Sequence, residues 1–219
     1  MLINVLIVRE SHHSNLDFCA SMEPARVLII DNFDSFTFNL FHLVEKCGRE
    51  PTMVRNDELN RISLDDYTHM IIGPGPGLPV EIAHLQGSLE YWGDRPLLGV
   101  CLGFQFMLTL DGVQIVNLSP VRHGALSSIK VVGDSPLYNS IPRAFSAGLY
   151  HSWGLKDYSG VEYQITAYDQ EGVIMSLEHK VKPWFGVQYH PESIMTDHGD
   201  LLMKNFLESK ERTKSQFLQ

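Results

Sequence analysis

Three short apolar runs, each closed by a turn and followed by helical spacing, leave this chain few folds to choose from. Val27–Asp31 (VLIID) is apolar until its last residue, which is how a strand buried on both faces reads. Residues 32–35 form a turn in which Asp34 or Ser35 is placed to cap a helix. Phe36, Leu40, Leu43 and Val44 then recur at helical spacing as far as Gly48, a helix stop. Residues 52–55 read as a second strand. Residues 70–72 read as a third, running into Gly73-Pro74-Gly75-Pro76-Gly77 and then a helix over about 82–92. Leu97–Val100 is the next buried strand and residues 104–110 the next helix. Strands alternating with helices predict a three-layer α/β architecture, a mostly parallel open sheet with helices on both faces.

Beyond Gly112 the pattern changes. Residues 114–117, 127–132, 161–168, 173–178 and 184–188 read as strands, and helical periodicity returns only at 201–207. The second half is therefore expected to be β-rich, as an extension of the same sheet. A chain of 219 residues fits one domain. Residues 1–25 fit the alternation poorly and are expected to form an N-terminal extension, of which 1–21 are dispensable for folding. The domain is expected over 26–208 and a polar tail over 209–219.

Charge and cysteines narrow the function. A net charge of −9 disfavours general binding to nucleic acid or anionic membrane, since both are polyanions. No run of about 18 apolar residues is present, so no membrane-spanning helix is expected. The apolar start, residues 1–8, has no basic residue before it and is a poor secretory signal. Cys19, Cys47 and Cys101 form an odd set without metal-ligand spacing, which points to a reducing cytoplasm.

The sharpest chemical signal is Gly99-Val100-Cys101-Leu102-Gly103, between an apolar strand and a helix. This is the nucleophile-elbow pattern with cysteine as the nucleophile. A sharp strand-to-helix turn exposes the reactive atom, and the flanking glycines let neighbouring backbone pass close. The helix N-terminus favours a thiolate, and the N–H of Leu102 is placed to meet an oxyanion. The plain alternative is a small buried cysteine between strand and helix. Downstream, His190 follows an apolar strand and Glu192 stands two residues on. A histidine oriented by a carboxylate can activate a thiol. Standing alone, the same segment also reads as a solvated loop. Gly73–Gly77 lacks the Lys-Ser/Thr of a phosphate-binding loop, which leaves a plain turn or a rigid wall beside an oxyanion. His12-His13 has no partner at ligand spacing, and the remaining histidines, Cys47 and the tryptophans read as surface or packing residues. Trp153 is a further candidate to line the pocket.

Together these motifs resemble the class I glutamine amidotransferases, in particular the glutaminase subunit (component II) of anthranilate and aminodeoxychorismate synthases. The matching stretches are VLIIDNFDSFTFNL at 27–40, VRND at 54–57, GPGPGLP at 73–79, PLLGVCLGFQ at 96–105, His123-Gly124, YHSW at 150–153 and GVQYHPESIMTDHG at 186–199. The resemblance implies a flavodoxin-like sheet topology and a type 1 amidotransferase domain. It implies that Cys101 attacks the glutamine amide, that His190 is base and then acid, and that Glu192 orients His190. It implies that Gly75 and Leu102 supply oxyanion N–H groups and that Gln105, with the backbone of His151 and Ser152, holds the substrate. It implies no cofactor and no metal. The implied partner is a chorismate-binding synthase subunit (component I), facing Asp34-Ser35 and the neighbouring loops and receiving the ammonia. A solitary γ-glutamyl hydrolase on the same scaffold and a non-catalytic regulatory module are the alternatives. Four positions depart from the family pattern: Phe104 in place of His or Gln, Ala125 in place of Lys, Leu149 in place of Arg, and Tyr189 in place of Phe.

Overall fold

A computed structural model describes residues 24–118 and 124–210. The expected extension up to residue 23, His12-His13, Cys19, His123 and the tail beyond 210 lie outside the described residues.

The first half follows its apolar periodicity. Strand β1 (Val27–Asp31) leads into helix α1 (Phe36–Lys46). Of the two candidate caps, Asp34 acts: its Oδ1 accepts the Phe36 N–H at 2.8 Å. Gly48 ends the helix at φ +77° with its N–H on Glu45 O. Strand β2 (Pro51–Arg55) and strand β3 (His69–Ile72) follow. The helix expected over 82–92 divides into a 3₁₀ segment, Pro79–Leu85, and α2 (Gln86–Trp92). Ile82 breaks the helical dihedrals inside the 3₁₀ segment (φ −108°). Strand β4 (Leu97–Val100) and α3 (Leu102–Leu110) complete the alternating half.

The second half is built of β5 (Val116–Asn117), β6 (Ala125–Val131), β7 (Ala144–Leu149), β8 (Trp153–Gly154), β9 (Tyr163–Asp169), β10 (Ile174–His179) and β11 (Trp184–Val187), closed by α4 (Gly199–Leu207). Strands β7 and β8 have no counterpart in the sequence reading. β7 is AFSAGL, whose small residues carry no apolar run, and β8 has two residues.

One nine-stranded sheet runs β2-β1-β3-β4-β11-β10-β9-β6-β7. The pairings from β2 to β11 are parallel and those from β11 to β7 antiparallel. The sheet is thus mixed. Its parallel part has flavodoxin-like order, and the β-rich half extends it as an antiparallel wing. Helices cover both faces, as period-two alternation in β1 records. Val27 and Ile29 pack with Leu40 of α1 and Phe206 of α4, while Leu28 and Ile30 pack with Leu89 of α2 and Phe104 of α3.

Two departures from the family pattern turn out to be neighbours: Ala125 and Leu149 stand directly opposite each other across β6 and β7. Leu149 is fully buried, so the position carries core packing rather than charge. Phe104 is also core, its ring lying over Gly186, where an added Cβ would come within 2.8 Å.

Candidate active site

In a parallel sheet the carboxyl ends of the strands gather loops from both faces at one pole. Here that pole receives Phe33 after β1, the GPGPG loop after β3, Cys101 after β4 and His190 after β11.

Cys101 occupies the strained turn that its motif demands. It is one of four non-glycine residues at positive φ among the described residues (φ 53°, ψ −101°), a conformation that costs on the order of 1–3 kcal/mol. The turn is held from both sides. The Cys101 N–H donates to Val187 O at 2.9 Å, and the Gln105 N–H donates to Cys101 O at 3.0 Å. The glycines are required by contact. A Cβ on Gly103 would overlap Ile72 O, and one on Gly99 would lie 2.6 Å from Met107 Sδ. The GPGPG loop is packed against this turn. A Cβ on Gly75 would fall 2.6 Å from Leu102 Cδ2 and 2.9 Å from Asn32 O. Of the two readings left open for the loop, this contact favours a wall beside Cys101. Asn32, a buried residue without a role in the sequence reading, pins the loop: its Nδ2 donates to Gly73 O at 2.8 Å and its Oδ1 accepts from Asn56 at 2.9 Å.

His190 and Glu192 come together as their spacing suggests. His190 Nδ1 lies 2.7 Å from Glu192 Oε1, and both side chains are buried. His190 Nε2 is buried and has no hydrogen-bond partner among the described residues. Burial pulls the imidazole downward, but Cys101 and Glu192 beside it outweigh that and lift it from 6.5 to about 10. The imidazolium is therefore the favoured form between a sulfur and a carboxylate. Phe36 and Tyr150 flank the ring at centroid distances of 5.2 and 5.0 Å. The following loop is stapled to edge strand β7: His190 N donates to Gly148 O, Gly148 N to Thr196 Oγ1, and Asp197 N to Ser146 O.

A third group joins through Gln188, which the sequence reading left without a role. Gln188 Nε2 donates to Cys101 Sγ at 3.7 Å, and its Oε1 accepts from Gln105 Nε2 at 3.0 Å. Gln105 Nε2 also donates to Trp153 O at 2.9 Å. Trp153 O accepts from His151 Nδ1 at 2.8 Å, and Ser152 O accepts from Leu118 N at 2.7 Å in the small β5–β8 ladder. Gln105 and His151 are thus linked to the cysteine by one chain of hydrogen bonds, while Ser152 bonds Leu118 outside it. The only signal for Gln188 in the sequence is its place two residues before His190.

These parts form a thiol next to an imidazole, a carboxylate behind the imidazole, and a backbone loop beside the thiol. Such a set can attack an acyl carbon, hold a thioester and release it to water.

The class-I glutamine amidotransferase family matches residues 28–210. The chain belongs to this family. The amidotransferase is 40% identical over 190 residues to anthranilate synthase component 2 of Saccharolobus solfataricus, covering 82% of this chain and 96% of that protein. It is 38% identical over 192 residues to the aminodeoxychorismate synthase of Streptomyces griseus, covering 85% of this chain and 26% of that longer protein. Among solved structures, a Thermoplasma acidophilum protein assigned to GMP synthase superposes with a TM-score of 0.75 at 20% identity, covering 84% of this chain and 92% of that one. This last likeness concerns the fold. The amidotransferase has no helix among its described residues long and apolar enough to cross a membrane.

Proposed function

We propose that this chain hydrolyses glutamine through a Cys101 thioester and passes the ammonia to a chorismate-aminating synthase subunit. The observation that carries the chemistry is the His190 ring, held by Glu192 at Nδ1 with Nε2 left beside Cys101. In this reading the Cys101 proton already resides on Nε2, and the sulfur attacks the side-chain amide carbon. The oxyanion forms against the N–H groups of Gly75 and Leu102. The imidazolium then protonates the leaving nitrogen, ammonia departs, and His190 activates the water that cleaves the thioester.

Gln105 has both amide N–H groups committed, to Trp153 O and Gln188 Oε1. What it offers a ligand is its carbonyl oxygen, which matches the ammonium end of glutamine. His151 and Ser152 would add backbone contacts there.

The partner reading rests on three supports. Ammonia released into water is protonated and lost as a nucleophile, so useful transfer needs a second body sealed over the site. The relatives are named as parts of chorismate-aminating synthases, and in the Streptomyces protein the matched region is a quarter of a larger chain. The site's rim also exposes large apolar side chains: Phe33 at 53%, Val80 at 73% and Ile194 at 102%. A cytoplasmic setting suits the free thiols Cys47 and Cys101.

The test mixes the chain with a chorismate-binding synthase component, then supplies glutamine and chorismate. Anthranilate or aminodeoxychorismate as product supports the proposal and names the branch. A partner that ignores chorismate moves the acceptor elsewhere. Free hydrolysis of γ-glutamyl compounds without any partner overturns the partnered reading in favour of a solitary hydrolase.

A further inference from the structure

Tyr189 stands in the chain between two residues that both address the Cys101 sulfur, Gln188 and His190. Its own side chain lies in the core that also holds Val187. There its hydroxyl is fully buried and lies 3.1 Å from the hydroxyl of Tyr138, also buried. A buried hydroxyl needs a partner, and its position is then fixed by where that partner stands.

The partner is well fixed. Tyr138 ends the 3₁₀ turn Pro136–Tyr138 in the β6–β7 connection. Asn205 of α4 clamps that turn by donating to Leu137 O at 3.0 Å and Asn139 O at 2.8 Å. Ser176 and Thr166, which bond each other at 2.8 Å across β9 and β10, neighbour the Tyr138 hydroxyl. Phe145 of β7 packs edge-on against Tyr189 at 5.7 Å. The main chain holds residues 188 and 190 through Met175 O and Gly148 O. The side chain of Tyr189 anchors the residue between.

We infer that the Tyr138–Tyr189 hydroxyl pair is a positioning device for the reaction, setting from the core side how His190 and Gln188 approach Cys101. The inference rests on the catalytic reading of Cys101 and His190 proposed above. Neither tyrosine touches the reacting atoms. Both act by fixing the strand end that carries the residues that do.

The experiment compares Tyr138→Phe, Tyr189→Phe and the double variant with the parent chain. It reads melting temperature, glutaminase kcat and KM, and the pH profile of Cys101 alkylation by iodoacetamide without glutamine. Each single variant is expected to lower kcat about tenfold with KM within about twofold and to shift the alkylation profile. The double variant leaves no hydroxyl of the pair unpartnered. It is expected to regain the parent melting temperature while keeping the low kcat and the shifted profile. Loss of melting temperature with kcat and profile unchanged overturns the inference and leaves the pair a packing feature. If the parent hydrolyses no glutamine even with a chorismate-binding synthase component bound, the proposed function fails, while the alkylation profile still decides for or against the pair.

Discussion

The His190 imidazole is held at one nitrogen and open at the other: Nδ1 lies 2.7 Å from Glu192 Oε1, while Nε2 is buried without a hydrogen-bond partner among the described residues. This asymmetry ranks the site's variants. Cys101→Ala is expected to abolish glutamine hydrolysis, by about 10,000-fold or more, while a bound synthase still uses free ammonia. His190→Ala should approach that loss. Glu192→Ala should lose about ten- to a hundredfold less than His190→Ala, since it orients the ring without moving the proton. Steady-state glutaminase assays check the ranking, and the reverse order would undo the roles.

Two buried histidines should tilt stability in opposite directions with pH. His190 is raised to about 10 in the fold, so its contribution is complete below pH 6.5 and is lost as pH rises toward 10. His69 is lowered to about 4 by burial, with its Nε2 on Ser209 O and Arg49 nearby. The fold therefore prefers its neutral form. That contribution is complete above pH 6.5 and is lost as pH falls toward 4, on the order of 3 kcal/mol. Thermal melts across pH should show His69→Asn flattening the acid side and His190→Ala the alkaline side. Unchanged slopes in either variant would contradict the assignment.

The glycines of the Cys101 turn and of α2 should behave oppositely. Gly103→Ala drives a Cβ into Ile72 O and is expected to destabilise by about 3 kcal/mol. Gly87→Ala, in α2 with nothing within 4 Å of the new methyl, should stabilise by about 0.5–1 kcal/mol. Denaturant titration gives both signs.

Gln188 links the sulfur to Gln105, so Gln188→Met should loosen the substrate end of the site. The expected result is a KM for glutamine raised about tenfold, with the protein still folded. An unchanged KM would remove Gln188 from the site.

The extension proposed for residues 1–21 precedes β1, which begins at Val27, and the family match, which begins at 28. A chain beginning at Met22 is expected to keep its melting temperature within about 2 °C. A large drop would make the segment part of the fold.

Local features could be read from the residues alone. Apolar runs marked β1, β3 and β4, Gly48 marked the end of α1, and glycines around Cys101 marked a turn that few other arrangements need. The spacing of His190 and Glu192 foretold their contact, because two residues of one short loop have little choice of neighbour. What stands across the sheet was settled by tertiary packing. The antiparallel pairing of β7, the Ala125–Leu149 register pair, the Gln188 link between Gln105 and Cys101, and the Tyr138–Tyr189 contact all join distant segments. Periodicity says which face a side chain takes but not which strand lies beside it. That choice is made when the whole sheet buries its two faces at once, and with it the residues that surround Cys101.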